Sequence, residues 1–207
     1  AEAGVLGFKA FMSHSGIDEF PKVAESHLRK ALSILANRAI PVLVHAELEN
    51  GVETSNSHHT YESFQATRPK SWENNAIKLL IQLCREYETH IHIVHLSSSD
   101  ILPEISQTRD EGLPLTVETC PHYLHFASER ISDGDTRFKC APPIWDADNR
   151  EKLWLGLEKG TIDFITSDHS PCTPELKKLD TGDFQMAWGG ISSIQFTLPV
   201  IWTECRQ

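Results

Sequence analysis

The chain has no CxxC pair, no Asn-x-Ser/Thr site, no cluster of Lys and Arg and no apolar run long enough to cross a bilayer. Each absence removes a class of function. The cysteines, Cys84, Cys120, Cys140, Cys172 and Cys205, are odd in number and irregularly spaced, which argues against a disulfide framework. A reducing intracellular compartment is expected, the cytoplasm first. A membrane span needs about 18 apolar residues, so no membrane partner is expected. No signal peptide is recognisable, although the chain opens inside what reads as a strand, which leaves targeting by an upstream segment open. With 19 Lys and Arg against 29 Asp and Glu, the net charge of -10 excludes nucleic acid as a main partner. A phosphate-cradling glycine loop is also missing, because Trp188-Gly189-Gly190 lacks the GxGxxG spacing. Ser170, Cys120, Cys140 and Cys172 have no arranged base, so nucleophilic side-chain catalysis is not expected.

What is present is an alternation. The 207 residues are 40% hydrophobic and 23% charged, enough for one domain over residues 1–207 but short of the roughly 250 of a closed α/β barrel. Apolar runs at 4–12, 40–46, 90–96, 114–120 and from Thr161 read as strands. Helical periodicity falls between them, at 21–38, 72–87, 99–111, 148–159 and 192–204. Strands read as apolar on both faces predict a parallel sheet. Asp148 with Glu151 reads as a capping box for the fourth helix. The stretch from Glu47 to Ser71, with Asn50-Gly51 and His58-His59, shows little periodicity and is a candidate lid.

Strand ends of parallel folds carry chemistry, and four of these ends carry Lys9, His45, His95 and Asp168. Taken singly, a strand-end histidine is more often a hydrogen-bonded structural residue. Together the four form the nitrogen and oxygen set that suits Zn2+ or a similar divalent ion. Lys9 is costly on an apolar strand unless paired or neutralised. Two readings stand level: a neutral amine that reacts with CO2 to form a metal-bridging carbamate, or an ion pair with Glu118. His90-Ile91-His92 has the HxH form of a metal pair, but strand alternation places both histidines opposite His95. His122 and His125 follow a strand end and read as loop hydrogen-bonding residues.

The segments GFKAFM, VLVHAE, HIVHLSS, VETCPHYL, KCAPPI, DFITSDHSP and AWGGISSIQF resemble, in order, successive motifs of the cyclic amidohydrolases. That group contains allantoinases, dihydropyrimidinases and dihydroorotases. The resemblance covers nearly the whole chain and is greatest to the allantoinases in FITSDHSPC, AWGGISSIQF and Ser15-Gly16-Ile17-Asp18. It implies a partial (β/α)8 TIM barrel made of strands four to eight. Lys9 would be the carboxylated bridging lysine of strand four, His45 and His95 ligands on strands five and six, and Asp168 ligand and general base on strand eight. Two divalent metal ions, Zn2+ by donor type, follow from the same resemblance. So do substrate contacts at His14, Ala141, Ser170 and Gly190, a homotetramer, and hydrolysis of allantoin to allantoate in purine catabolism.

The family's first-strand HxH pair is absent. The chain therefore reads as a fragment lacking an N-terminal and a C-terminal portion, and as inactive alone. Trp145 stands where many relatives have arginine. Two alternatives accompany this reading. One is the same chemistry on a dihydropyrimidine or dihydroorotate ring, the latter needing a basic residue for its carboxylate that the sequence does not place. The other is a non-catalytic binding or structural remnant.

Overall fold

A computed structural model describes residues 4–36, 38–51 and 57–206. Its elements are β1 (Phe8–Phe11), α1 (Glu25–Leu35), β2 (Val42–His45), α2 (Tyr61–Thr67), α3 (Lys70–Tyr87), β3 (Ile91–Ile93), α4 (Leu102–Asp110), β4 (Leu115–Thr119), α5 (Pro121–His125), α6 (Ala147–Glu158), β5 (Phe164–Ile165) and α7 (Thr197–Glu204). The five strands form one parallel sheet in the order β1-β2-β3-β4-β5. The parallel α/β expectation is met. Parallel neighbours need crossovers, and the intervening helices supply them.

The register explains the two faces of the sheet. Residues paired across parallel strands point the same way, so Val42, Ile91 and Leu115 form one row, and Val44, Ile93 and Val117 the next. All six are exposed by 3% or less and join Leu28, Leu32, Ile77, Leu80, Ile81 and Ile105 in one apolar core. Each such aliphatic side chain contributes about 1.5–3 kcal/mol by leaving water. The other face carries Lys9, Leu43, His92 and Thr116 in one row, with His45 and Glu118 two residues further along their strands. It is largely polar, which corrects the reading of strands apolar on both faces. Short strands with one His, Thr or Glu among aliphatics look uniformly apolar until the register sorts them.

The two terminal strands are also less buried than expected. Phe8 is 45% exposed and Phe164 48%, because among the described residues β1 and β5 each have a single hydrogen-bonded neighbour in the sheet.

The candidate lid is corrected as well. Of the stretch 47–71, residues 52–56 lie outside the described residues, but the second half is helix α2. Thr60 caps it, its hydroxyl accepting from Ser63 N at 3.2 Å. Tyr61 and Phe64 are buried against Phe184, with ring centroids at 5.5 and 6.0 Å. A segment anchored by three aromatics is a fixed arm. At α6 the cap is Asp146, whose carboxylate accepts from Asn149 N at 2.8 Å, while Asp148 pairs with Lys152 one turn on at 2.5 Å. α7 starts at Thr197, later than the Ser192 expected.

Candidate active-site cleft

A cleft of about 610 Å3 opens over the polar face of the sheet at the C-terminal ends of its strands, and Lys9, His45, His95 and Asp168 all line it. The chain reaches two of these positions by unusual backbone geometry. His95 has φ 43° and Asp168 φ 41°, left-handed values that few non-glycine residues adopt. His and Asp tolerate this region better than most, and such residues concentrate at functional sites. At His95 the turn breaks strand alternation and swings the imidazole onto the polar face. His45 Nδ1 then lies 3.0 Å from His95 Nε2, with ring centroids at 4.7 Å.

The same turn overturns the expectation for the HxH pair. His92 shares its row with Lys9 and so faces the same side as His95. It is nevertheless fully occupied: Nδ1 meets Thr116 Oγ1 at 2.8 Å, Nε2 meets Glu118 Oε2 at 3.1 Å, and the ring stacks on Phe164 at 5.4 Å. His90 Nε2 also reaches Thr116 Oγ1, at 2.7 Å. Glu118 is therefore engaged by His92. Among the described residues Lys9 forms no ion pair with it, and the Lys9 ammonium sits 5.1 Å above the Phe11 ring.

The cleft shifts the groups that line it. Lys9 and Asp168 are exposed residues that open onto it, yet neighbouring protein still partly desolvates their charged ends. That desolvation pushes the Lys9 amine below its ordinary value, with the charges of Asp168 and Glu118 only partly restoring it. Burial likewise raises the Asp168 carboxyl, opposed by Lys9 and His45. Burial, followed by the neighbouring charges of His45 and Lys9, holds His95 well below the usual imidazole range. A neutral imidazole is the form a metal needs.

Among the described residues, no three His, Cys, Asp or Glu side chains converge tightly enough to hold an ion by themselves. The donor chemistry nevertheless fits a divalent ion. Two nitrogens on one tetrahedral Zn2+ at 2.0–2.1 Å would lie roughly 3.3 Å apart, close to the His45–His95 spacing. Lys9 and Asp168 complete a mixed nitrogen and oxygen set in the same cleft.

Two residues that sequence reading passed over support this arrangement. Glu47 is 1% exposed and accepts from His45 Nε2 at 2.6 Å. Arg68 grips it from the other side, Nε to Oε1 at 3.2 Å and Nη2 to Oε2. Burial pushes the Glu47 carboxyl up, but Arg68 and His45 outweigh it and bring it down to about 2. Glu47 was findable, since strand parity puts it on the face of His45. Arg68 was not, because a loop position far along the chain carries no periodic signal.

A second clamp holds the turn beyond His95. Ser97 N and Ser98 N donate to the two oxygens of Glu73 at 2.9 and 2.7 Å, and Asn149 Nδ2 donates to Ser97 O at 2.9 Å. Glu73 is 3% exposed, and burial raises its carboxyl to about 8, the two amide bonds offsetting only part. A folded value above the ordinary 4.5 means the folded state binds the proton more tightly. The associated stability is complete below that value and is lost as pH rises through about 8. Denaturant titrations of the complete protein at pH 5 and 8.5 should therefore show a drop on the order of a few kcal/mol, absent in Glu73→Gln. Parallel pH profiles for the two proteins would count against this assignment.

Of the expected substrate contacts, His14, Ala141 and Ser170 line the cleft and Gly190 does not. Gly190 packs behind Ser170, where a Cβ would come within 2.4 Å of the Ser170 hydroxyl oxygen; its neighbour Gly189 faces the cleft. Ser170 accepts from Trp188 Nε1 at 3.1 Å, and His169 Nδ1 accepts from Ser193 N at 3.0 Å, a supporting role. Two lysines tie the cleft wall: Lys139 donates to Gln185 O and Ala187 O at 3.0 and 2.7 Å, and Lys177 to Lys139 O, Trp188 O and Gly190 O at 2.6–2.8 Å. His122 and His125 border a separate cavity of about 470 Å3 instead. His125 pairs with Glu204 at 2.6 Å, whereas both ring nitrogens of buried His122 lack partners among the described residues, so there the loop hydrogen-bonding role fits only His125.

No family model matches the chain. Among curated proteins it is similar to an allantoinase from Arabidopsis thaliana, 49% identical over 214 residues that cover 98% of this chain and 42% of that protein. It is also similar to a mitochondrial allantoinase from Aquarana catesbeiana, 48% identical over 99% of this chain and 43% of that protein. Among solved structures, L-hydantoinase (dihydropyrimidinase) from Arthrobacter aurescens superposes with a TM-score of 0.87 at 27% identity, over 97% of this chain and 46% of that one. The chain thus spans somewhat under half the length of the proteins it matches, and its parallel sheet corresponds to part of the hydantoinase barrel.

Proposed function

We propose that this chain, allantoinase-like in sequence over 98% of its length and hydantoinase-like in fold, forms strands four to eight of the catalytic barrel of an allantoinase. The complete protein would open the cyclic amide of allantoin to give allantoate. The observation that carries the reading is the cleft itself, where Lys9 from within β1 meets the paired nitrogens of His45 and His95 and the carboxylate of Asp168, these three at or just beyond their strand ends. Lys9 as its carbamate, His45, His95 and Asp168 would hold two divalent ions, Zn2+ by donor type, whose chemistry is to activate water and polarise the ring carbonyl.

The chain's own groups do the rest. Asp168 takes a proton from the attacking water and returns it to the departing ring nitrogen, and the burial that raises its carboxyl favours such a shuttle. His14, Ala141 and Ser170 line the space a ring would fill.

The cleft also bears on which ring. Arg68 and Lys139 line it, placing basic residues the sequence could not assign, but both are engaged, Arg68 by Glu47 and Lys139 by two carbonyls. That favours an uncharged ring over dihydroorotate, whose carboxylate needs a free cation. By the same likeness we assign the complete protein to purine catabolism as a homotetramer; its irregularly spaced cysteines favour an intracellular site, the cytoplasm or an organelle such as the mitochondrion named for the Aquarana catesbeiana relative. Among the described residues no helix is long and apolar enough to cross a membrane.

Side-by-side assays of allantoin, a dihydropyrimidine and dihydroorotate test the reading. Preferred turnover of allantoin by the complete protein is expected, and preference for either other ring would replace the assignment. With β1 and β5 both open edges, the isolated chain should turn over allantoin negligibly. Normal rates from it would show that five strands suffice.

A further inference from the structure

We propose that Glu47 and Arg68 are a positioning pair that sets the tautomer and aim of His45, an inference that rests on reading the cleft as a metal site. A neutral imidazole carries one N–H, and an ionised carboxylate can only accept. With Glu47 Oε2 at 2.6 Å from His45 Nε2, the proton belongs on Nε2, and the lone pair is left on Nδ1. Nδ1 is the atom that faces His95 Nε2 at 3.0 Å. Glu47 thus decides which nitrogen His45 offers, the role that a carboxylate behind a metal-bound histidine plays generally.

A glutamate has three side-chain torsions and would wander without a second anchor. Arg68 supplies it by engaging both carboxylate oxygens, a fork geometry that fixes a plane as well as a distance. Arg68 in turn is held where α2 ends. Its N–H bonds Gln65 O at 3.0 Å, and its guanidinium lies 5.5 Å over the Trp72 ring. α2 is seated through Tyr61 and Phe64. Helix α2, within the stretch that reads as a lid, is the strut that braces a ligand from behind.

The test uses the complete protein with Zn2+ or Co2+ alone, so that no readout depends on turnover. In Glu47→Gln, chelator competition should show Zn2+ bound about 10–100-fold more weakly, and the visible Co2+ spectrum should change. Arg68→Gln should give a smaller loss of the same kind. The double variant should be no worse than Glu47→Gln, because Arg68 acts through Glu47. Thermal unfolding of the metal-free proteins checks that they fold, and if Glu47→Gln does not, Arg68→Gln carries the test. Folded variants with parental Zn2+ affinity and Co2+ spectrum would overturn the pairing, as would additive losses. A parent protein that binds no metal would instead remove the functional reading on which the pairing rests.

Discussion

Replacing Lys9 by alanine in the complete protein should strip most of the bound metal and lower allantoin turnover by about 10^3-fold, the loss of several kcal/mol of metal-assisted stabilisation. The reason lies in where the amine sits. It opens onto the cleft beside His45, His95 and Asp168, has no carboxylate ion-pair partner among the described residues, and has its amine shifted below the ordinary lysine value by partial desolvation. A neutral amine can take up CO2, whereas a paired ammonium cannot. Short carboxylic acids should restore part of both metal content and rate, by occupying the place of the lost carbamate. Full metal and full activity in untreated Lys9→Ala would remove the bridging role, and loss of activity with metal intact would move Lys9 from ligand to substrate contact.

Asp168→Asn should cut turnover by about 10^2–10^4-fold, the usual worth of a positioned general acid and base. Asparagine is the informative replacement because it accepts the left-handed backbone at φ 41° as readily as aspartate does. The loop then keeps its shape, and what is lost is the carboxylate that carries the proton and would also donate to the metal ions, so metal content is measured alongside the rate. Single-turnover measurements should show the ring-opening step slowed while substrate binding changes little. If binding falls and the chemical step does not, Asp168 is a substrate contact and the shuttle lies elsewhere.

The alternation of strands and helices was readable because aliphatic runs and helical stripes are local signals. His45, His95 and Asp168 were readable as cleft residues because polar side chains close their apolar runs, and Lys9 because it is the one charge inside its run. What stayed hidden depended on geometry that is not local. Alternation put His92 and His95 on opposite faces, and one left-handed residue cancelled that. Seven residues, Tyr61 to Thr67, carry two buried aromatics and too few turns for periodicity to show, so a strut read as a lid. Glu47, Arg68 and Glu73 act through partners distant in sequence, and only the folded register brings those partners together.

Strand order that equals chain order has a kinetic consequence. Each strand pairs with the one made just before it, so every step of assembly closes a single crossover at modest loop entropy. A chain emerging from its N-terminal end completes Lys9 with β1, then His45, Glu47 and Arg68 with β2 and α2, then His95 after β3. Asp168 arrives only when β5 docks on β4. The donors accumulate one βα unit at a time, and the group assigned to the proton transfer is the last to be delivered, so partly folded chains can gather ligands before they can do chemistry.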